Sequence, residues 1–333
     1  MSKILITGAA GFIGSHLLDF LLELKISNRN IRLLIWDQQE LKNLAHLDLN
    51  KFEIVYGDIR DKKIVVRAMK NVTDVFHLAA KVDFDGKNYH EYRATNVLGT
   101  KNLLDQAVKN KNFHKFVAYS SIAVHGLPAA VGNIINWDEM APPLYDNFYG
   151  RSKWEMEILI RHYHRLYGLK YIIIRPASVY GPRENGPTLA LVKAIKNKQF
   201  MMIGDGQNKM HYVYVQDLVA ATYLAWKSKL KQGEYIIAGP DAPTLEQVVA
   251  NIYRCLSKDA KFCVSIPKSL ALFLAYVLDW LSKMTDIKFP LYPSRVRTMT
   301  TTYYYNLDKA KRELNYKPKV KFKDGIKELC ASL

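Results

Sequence analysis

The sequence predicts an α/β protein built on a doubly wound parallel sheet of the Rossmann type, with a smaller carboxyl-terminal lobe. Short apolar runs alternate with helical patterns through the first half of the chain. A glycine-rich turn joins the first strand to the first helix, whereas the second half is less regular. We therefore expect one domain over residues 1–176, rejoined by 211–239, and a lobe formed by 177–210 and 240–333.

The first-half elements follow from apolar runs bounded by polar or glycine residues. The predicted strands are Ile4–Thr7, Ile31–Trp36, Phe52–Tyr56, Val75–Ala79, Lys115–Ser120 and Tyr171–Arg175. The predicted helices between them are Ile13–Leu24, Lys62–Met69, Ala94–Lys109 and Gly150–Leu166. Strand, helix and strand in repetition give a parallel sheet with helices on both faces.

The second half is predicted in less detail. It contains a helix within Pro182–Gly206, a short strand and helix over Tyr212–Trp226, a strand at Tyr235–Ala238 and a helix over Thr244–Leu256. Glu246 and Gln247 stand in the first turn after Thr244, a pattern typical of a helix start.

Composition indicates a folded, soluble protein. Of 333 residues, 49% are hydrophobic and 24% are charged. The net charge of +17 leaves an anionic ligand, an acidic membrane surface and a lysine-rich proteome open as causes. The lysines are scattered and do not alternate with aromatic residues as in a nucleic-acid groove, so no nucleic-acid partner is predicted.

The amino-terminal residues and the cysteines indicate where in the cell the protein is expected. The chain enters a strand directly after Met1 without a signal peptide, which predicts a cytoplasmic protein. Cys255, Cys263 and Cys330 lack metal-ligand or redox spacing, so unpaired thiols and no metal are expected. The apolar segment Ser269–Leu281 is too short to span a bilayer and predicts a buried or partner-facing helix, or a peripheral membrane contact.

The turn after the first strand has the chemistry of a phosphate loop. Glycines at 8, 11 and 14 allow the backbone to turn and to approach a ligand closely. The amides at the start of the following helix, from Phe12 and Ile13 onward, can hold a pyrophosphate. This loop predicts that residues 1–176 bind a dinucleotide.

The residue after the second strand favours NAD over NADP. Asp37 stands where a carboxylate accepts hydrogen bonds from the 2′-hydroxyl of a ribose and repels a 2′-phosphate. Gln38 and Gln39 follow it, and no arginine stands beside them to bind that phosphate.

Together with the loop, six later segments resemble the extended short-chain dehydrogenase/reductase family. In chain order they are Gly57–Asp61, His77–Ala80, Thr95–Thr100, Ser120–Gly126, Tyr149–Lys153 and Arg175–Pro182. The resemblance implies cofactor contacts at Asp58, Ile59, Leu78, Ala79, Ala80, Asn96, Tyr149, Lys153, Pro176, Ala177 and Val179. It further implies catalytic roles for Ser121, Tyr149 and Lys153.

Tyr149 and Lys153 are four residues apart and share one face of a helix. A nearby ammonium stabilises phenolate, and the bound oxidised nicotinamide adds another positive charge, so the pKa of Tyr149 is expected to be lowered. Tyr149 would then exchange a proton with the substrate oxygen while a hydride moves to or from the nicotinamide. Ser121 would hold the same oxygen. His77 ends a buried strand and is interpreted as a packed histidine.

One position departs from the nucleotide-sugar branch of the family. Met210 stands where that branch has an arginine for the substrate diphosphate, and a thioether cannot donate to phosphate. Lys209 or Arg183 could compensate. The leading prediction is an NAD-dependent dehydrogenase or ketone reductase acting on a secondary alcohol, with a small-molecule substrate that is fairly apolar and sterol-like or polyketide-like. The alternatives are a nucleotide-sugar 4-epimerase or dehydratase, and a non-catalytic dinucleotide-binding protein. The resemblance also implies a homodimer through helices 94–109 and 150–166.

Overall fold

A computed structural model describes residues 3–83, 86, 88–126, 135–256, 265–285 and 291–331. The strands are β1 Ile4–Thr7, β2 Ile31–Ile35, β3 Glu53–Tyr56, β4 Asp74–His77, β5 Lys115–Tyr119, β6 Ile135–Trp137, β7 Tyr171–Pro176, β8 Ser178–Tyr180, β9 Met202–Ile203, β10 Tyr212–Tyr214, β11 Glu234–Ile237, β12 Ser265–Ile266 and β13 Tyr303–Tyr305. The helices are α1 Phe12–Glu23, α2 Lys62–Ala68, α3 Tyr89–Tyr92, α4 Thr100–Ala107, α5 Phe148–Tyr167, α6 Pro187–Lys196, α7 Val215–Lys227, α8 Leu245–Cys255, α9 Lys268–Thr285, α10 Pro293–Thr300, α11 Asp308–Leu314 and α12 Phe322–Ala331.

Seven of the described strands form one parallel sheet in the order β11-β7-β5-β4-β1-β2-β3. The predicted doubly wound fold is therefore confirmed. Chain order reverses beside β1, where β1 pairs with β2 on one side and with β4 on the other. Ligands of such sheets bind at the carboxyl ends of the strands near this reversal.

Alternate residues of each strand enter cores on opposite faces of the sheet. Ile4 and Ile6 of β1 pack with Leu17 and Leu21 of α1. Leu5 faces the other way, into a core shared with α2, α4 and α5. Because both faces are covered, the strands are continuous apolar runs, which is why the sequence located them.

The helix predicted at Ala94–Lys109 is not a regular α-helix throughout. It begins at Tyr89 as α3, continues as a π-helical segment over Arg93–Gly99 and becomes regular again in α4. A π-helical turn holds an extra residue, which shifts the side chains that follow.

A further core joins α6, α8 and α12 to the paired strands β8 and β10. Here the expectation of unpaired thiols is wrong for two of the cysteines. Cys255 at the end of α8 and Cys330 in α12 form a disulfide with their Cα atoms 6.2 Å apart. The two cysteines are 75 residues apart in the chain and meet because α8 packs against α12. Their spacing in the sequence does not indicate this disulfide. Cys263 lies outside the described residues.

Across the described ranges, none of the helices combines the length and the apolar character needed to cross a bilayer.

Candidate active site

The glycine loop between β1 and α1 is packed against the backbone at two of its three glycines. Gly8 has a φ of +71°, and a Cβ there would lie 2.8 Å from the Ala79 nitrogen. A Cβ on Gly14 would lie 2.1 Å from the carbonyl oxygen of Gly8. Neither position accepts a side chain, because the obstacle is backbone that cannot move aside.

Gly11 differs, because it is exposed and a Cβ there would meet only the Gly8 carbonyl oxygen, at 3.2 Å. Gly11 is the N-cap of α1, and no side chain caps this helix end. The first amides of the helix, including those of Phe12 and Ile13, have no intrahelical acceptor. The loop thus presents bare donors at the positive end of the helix dipole, which suits a pyrophosphate.

Two carboxylates follow the neighbouring strands. Asp37 is exposed two residues after β2. Asp58, two residues after β3, accepts hydrogen bonds from the Arg60 backbone nitrogen at 2.7 Å and from its Nε at 2.8 Å. Burial alone would raise the pKa of Asp58, but the hydrogen bonds and charge of Arg60 outweigh it and lower the pKa. Asp58 is thereby fixed as a carboxylate beside the buried Ile59.

His77, at the end of β4, is a packed histidine. Its Nδ1 lies 2.8 Å from the Thr7 hydroxyl and its Nε2 2.8 Å from the Thr100 hydroxyl. Burial, with help from the charge of Lys153, lowers the pKa of His77 to about 3. The Thr7 hydroxyl also accepts from the Ala79 amide at 3.2 Å, and the Thr7 carbonyl oxygen accepts from the Leu78 amide at 3.1 Å, so Thr7 holds the chain after β4 against the start of the glycine loop.

Asn96 lies inside the π-helical segment and connects three parts of the site. Its side-chain oxygen accepts from the Lys81 amide at 2.8 Å, and its nitrogen donates to the Lys81 carbonyl at 3.1 Å. The same nitrogen donates to the Ser152 hydroxyl at 2.8 Å. Ser152 in turn donates to the Tyr149 carbonyl oxygen at 2.7 Å. Asn96 thus holds the chain after β4 and the first turn of α5 together.

Ser121, Tyr149 and Lys153 come together at the carboxyl end of β5. Tyr149 and Ser121 are joined by a side-chain hydrogen bond. The Lys153 Nζ lies 5.8 Å from the centroid of the Tyr149 ring and donates to the Tyr119 carbonyl oxygen at 2.7 Å. Tyr149 and Lys153 are 6% and 2% exposed, so their chemistry takes place out of bulk water.

Comparisons with known proteins agree with this arrangement of Ser121, Tyr149 and Lys153 beside the sheet. A family model described as GDP-mannose 4,6 dehydratase matches residues 5–329. The chain belongs to the extended short-chain dehydrogenase/reductase family. The sequence-based prediction of this family, and of an enzyme within it, is confirmed.

Two curated relatives and one solved structure illustrate the range of this family. The chain is 32% identical over 313 residues to the N-acetyl-alpha-D-glucosaminyl-diphospho-ditrans,octacis-undecaprenol 4-epimerase of Escherichia coli O157:H7, covering 92% of this chain and 88% of the relative. It is 28% identical over 349 residues to isoform 1 of the 3beta-hydroxysteroid-dehydrogenase/decarboxylase of Arabidopsis thaliana, covering 98% of this chain and 78% of the relative. The fold matches that of UDP-glucuronic acid 4-epimerase from Bacillus cereus, solved with NAD. The TM-score is 0.78 and the identity 24%, and the match covers 99% of this chain and 98% of the epimerase.

In this member of the extended short-chain dehydrogenase/reductase family, the side chains alone do not produce the expected lowering of the Tyr149 pKa. Burial raises the pKa of Tyr149 to about 12, and the hydrogen bond with Ser121 offsets only part of that. Burial likewise lowers the pKa of Lys153 to about 7, against the opposing charge of Glu157. The sequence reveals the ammonium four residues away but not the desolvation that works against both charged forms.

Sequence reasoning missed Glu157. It lies one turn after Lys153 on the buried face of α5 and is 0% exposed. Arg175 of β7 donates to it from Nε at 2.9 Å and from the second nitrogen at 2.6 Å. An acidic residue in phase with Tyr149 and Lys153 on a buried helix face is the signal that could have found it. Arg175 begins one of the segments that resemble the family, and its side chain contacts α5.

The segment after Arg175 continues along the carboxyl edge of the sheet. Pro176 ends β7, Ala177 is 4% exposed, and Val179 lies in β8 beside Val213. Contacts of these residues with a cofactor remain a prediction.

Of the residues considered for phosphate binding, Lys209 is exposed, whereas Arg183 and Met210 have partners within the chain. Arg183 donates to Asp19 at 2.7 Å and to the Asn43 carbonyl at 3.2 Å, which ties it to α1 and the loop after β2. Met210 is partly buried against the core of α6, α8 and α12 and receives a hydrogen bond from the Tyr212 hydroxyl at 3.5 Å.

Proposed function

We propose that this chain binds NAD and transfers a hydride between it and a secondary alcohol or the corresponding ketone, with Tyr149 as acid and base. The observation that carries the proposal is the buried contact of Tyr149 with Ser121 and its closeness to Lys153. This trio lies at the carboxyl edge of the same sheet whose first strand leads into the glycine loop.

The residues of the chain fit such a cofactor. The uncapped amides of α1 suit its pyrophosphate, and Asp37 suits the adenosine ribose, which favours NAD over NADP. When bound, oxidised NAD supplies the hydride acceptor and a positive ring. Because the pKa of Tyr149 is about 12 and that of Lys153 about 7, the phenol needs a further positive charge nearby to act as a base at neutral pH.

Each catalytic side chain has a separate task in this mechanism. Tyr149 takes the proton of the substrate hydroxyl during oxidation and returns one to the oxygen during reduction. Ser121, held at the cap of a short 3-10 turn by the Ala123 amide at 3.1 Å, hydrogen-bonds the same oxygen. Lys153 stabilises the phenolate and is placed to bind the nicotinamide ribose.

The substrate is proposed to be apolar and sterol-like. Met210 cannot bind a diphosphate and Arg183 is already held by Asp19, which leaves only the exposed Lys209 of the cations considered for that role. The Arabidopsis relative is named for a steroid and the Escherichia coli relative for a sugar carried on undecaprenol diphosphate.

The 32% identity to that epimerase supports a second candidate, a 4-epimerase of a diphosphate-linked sugar. Epimerisation begins with the same oxidation at a secondary alcohol but retains the cofactor, so it produces no net NADH. The two functions therefore make opposite predictions about the cofactor.

The test is turnover of purified protein with NAD, followed at 340 nm, on a 3β-hydroxysteroid and on a polyprenyl-diphosphate N-acetylhexosamine. Net NADH with the steroid supports the dehydrogenase; a changed sugar without NADH supports the epimerase. Tyr149→Phe should lower the rate by about 10²- to 10⁴-fold without weakening NAD binding. The control Tyr167→Phe removes the hydroxyl of a tyrosine that is 60% exposed and should change neither. A Tyr149→Phe variant with more than a tenth of the wild-type rate would refute the proposed role.

A further inference from the structure

Helix α9 carries its large apolar side chains on the outside. Ala271 and Ala275 are fully buried against the rest of the lobe. Phe273, Trp280 and Met284 are 64%, 60% and 67% exposed. An ordinary surface helix buries its large apolar residues and exposes polar ones, so this arrangement is the reverse of the usual one.

The exposed face is continuous along the helix. The apolar residues with at least a third of their surface exposed are Leu270, Phe273, Leu274, Tyr276, Val277, Trp280 and Met284. At about 100° per residue, Phe273, Val277, Trp280 and Met284 fall within one stripe, and none of them is charged.

The surroundings of this stripe are basic. Lys268 begins the helix, and Arg297 of the packed neighbour α10 donates to the Tyr276 hydroxyl at 3.2 Å. The chain as a whole has a net charge of +17. Aromatic and aliphatic residues on one helix face with basic residues at its flanks are typical of helices that lie in a membrane surface.

A second copy of the chain is a poorer occupant for this face. Phe273, Tyr276 and Trp280 are 64%, 55% and 60% exposed and alone present on the order of 350 Å² of surface. Area therefore does not separate a second copy from a membrane, and charge decides between them. A dimer through α9 would bring two positively charged surfaces together, whereas an anionic bilayer offers the opposite charge.

We propose that α9 lies flat in the headgroup region of an anionic bilayer, with Phe273, Val277, Trp280 and Met284 inserted among the acyl chains. The helix is connected to the site through α10 and β13, and β13 pairs in parallel with β6. Trp137 of β6 packs on His125, four residues after Ser121, with ring centroids 5.1 Å apart. The surface is separate from the Tyr149 site, so the proposal holds whichever alcohol that site uses.

The test is flotation of the full chain with vesicles of phosphatidylcholine alone or with 30 mol% phosphatidylglycerol. We expect binding to the anionic vesicles that weakens as salt is raised. Phe273→Ser with Trp280→Ser should lower the partition coefficient by about tenfold or more, because two large aromatic side chains no longer leave water. The control pair Leu24→Ser and Val66→Ser alters side chains that are 43% and 52% exposed, at the C-cap of α1 and in α2, and binding should stay within about twofold.

A second measurement does not depend on a polar substitution. Lipids brominated on the acyl chain should quench part of the tryptophan emission of the wild type, and Trp280→Phe should remove the quenched part while retaining vesicle binding. Emission from Trp280 that is not quenched would overturn the proposal. So would wild-type protein that fails to bind the anionic vesicles, or equal binding by the Phe273→Ser, Trp280→Ser variant. A wild-type dimer that this double variant converts to a monomer, without vesicle binding by either, would assign the face to a second copy instead.

Discussion

Substituting Arg175 by methionine tests the buried support behind the catalytic helix. The guanidinium makes a two-pronged contact with Glu157, at 2.9 Å and 2.6 Å, and the two side chains are 3% and 0% exposed. Arg175 also donates to the Glu139 carbonyl oxygen at 3.1 Å. Methionine fills a similar volume but leaves the carboxylate of Glu157 buried without its main partner.

The size of the loss follows from this burial. Breaking a buried ion pair by removing one partner costs about 3–5 kcal/mol in the free energy of unfolding. Arg161 retains one contact with Glu157, at 3.2 Å. We therefore expect Arg175→Met to cost about 3 kcal/mol at pH 8, the lower part of that range. The double variant Glu157→Leu, Arg175→Met contains no unpaired carboxylate and should recover about 2 kcal/mol.

The loss should shrink in acid. Burial opposes ionisation of Glu157, but the hydrogen bonds and charge of Arg175 outweigh it and lower its pKa. A lowered pKa adds stability that is fully present above the unfolded pKa of about 4.3 and is lost as the pH falls through the folded value. Without Arg175, burial instead raises the pKa of Glu157. The variant then takes up a proton by pH 5 and is relieved of its buried charge, whereas the wild type is not yet affected.

The assay is urea unfolding followed by circular dichroism at pH 8 and pH 5, for the wild type and both variants. The reasoning would be refuted by a loss below 1 kcal/mol at pH 8 for Arg175→Met, or by a loss that does not decrease at pH 5.

Two further predictions concern the cofactor. Gly11→Val should weaken NAD binding by about 10- to 100-fold, because the new side chain projects over the amides of α1. The fold should tolerate the change, since the Cβ meets only the Gly8 carbonyl oxygen. Calorimetry measures the affinity, and an unchanged affinity together with an unchanged melting temperature would exclude the loop as the phosphate site. Asp37→Ala should reduce the ratio of NAD affinity to NADP affinity by about tenfold, because the carboxylate no longer repels a 2′-phosphate. Fluorescence titration with both cofactors measures this ratio. An unchanged ratio would mean that another residue binds the 2′-position of the ribose.

The local pattern of apolar residues was sufficient to predict the strands that build the sheet. Strands buried on both faces are apolar throughout, so β1, β2 and β5 were located to within one residue of their observed ends. The glycine at position 14 also has a local cause, because a Cβ there would meet the Gly8 carbonyl oxygen within the same loop, whereas a Cβ on Gly8 would meet Ala79 just after β4.

Features that depend on distant partners could not be predicted in the same way. The π-helical turn at Asn96 is fixed by Lys81 and Ser152, which lie in other parts of the chain. The disulfide of Cys255 and Cys330 requires α8 and α12 to be packed first. The direction of the Tyr149 pKa shift depends on how much water the fold excludes, which spacing along a helix does not specify.

The parallel pairing of β6 with β13 has a consequence for synthesis. Trp137, which follows the serine segment in the chain, is paired with Tyr305 near the carboxyl end. Most of the strands beside the glycine loop leave the ribosome much earlier, and domains generally fold in the order of their emergence. The strands beside the cofactor loop can therefore assemble early on the ribosome, whereas the pair of β6 and β13 forms only after residues 303–305 have emerged.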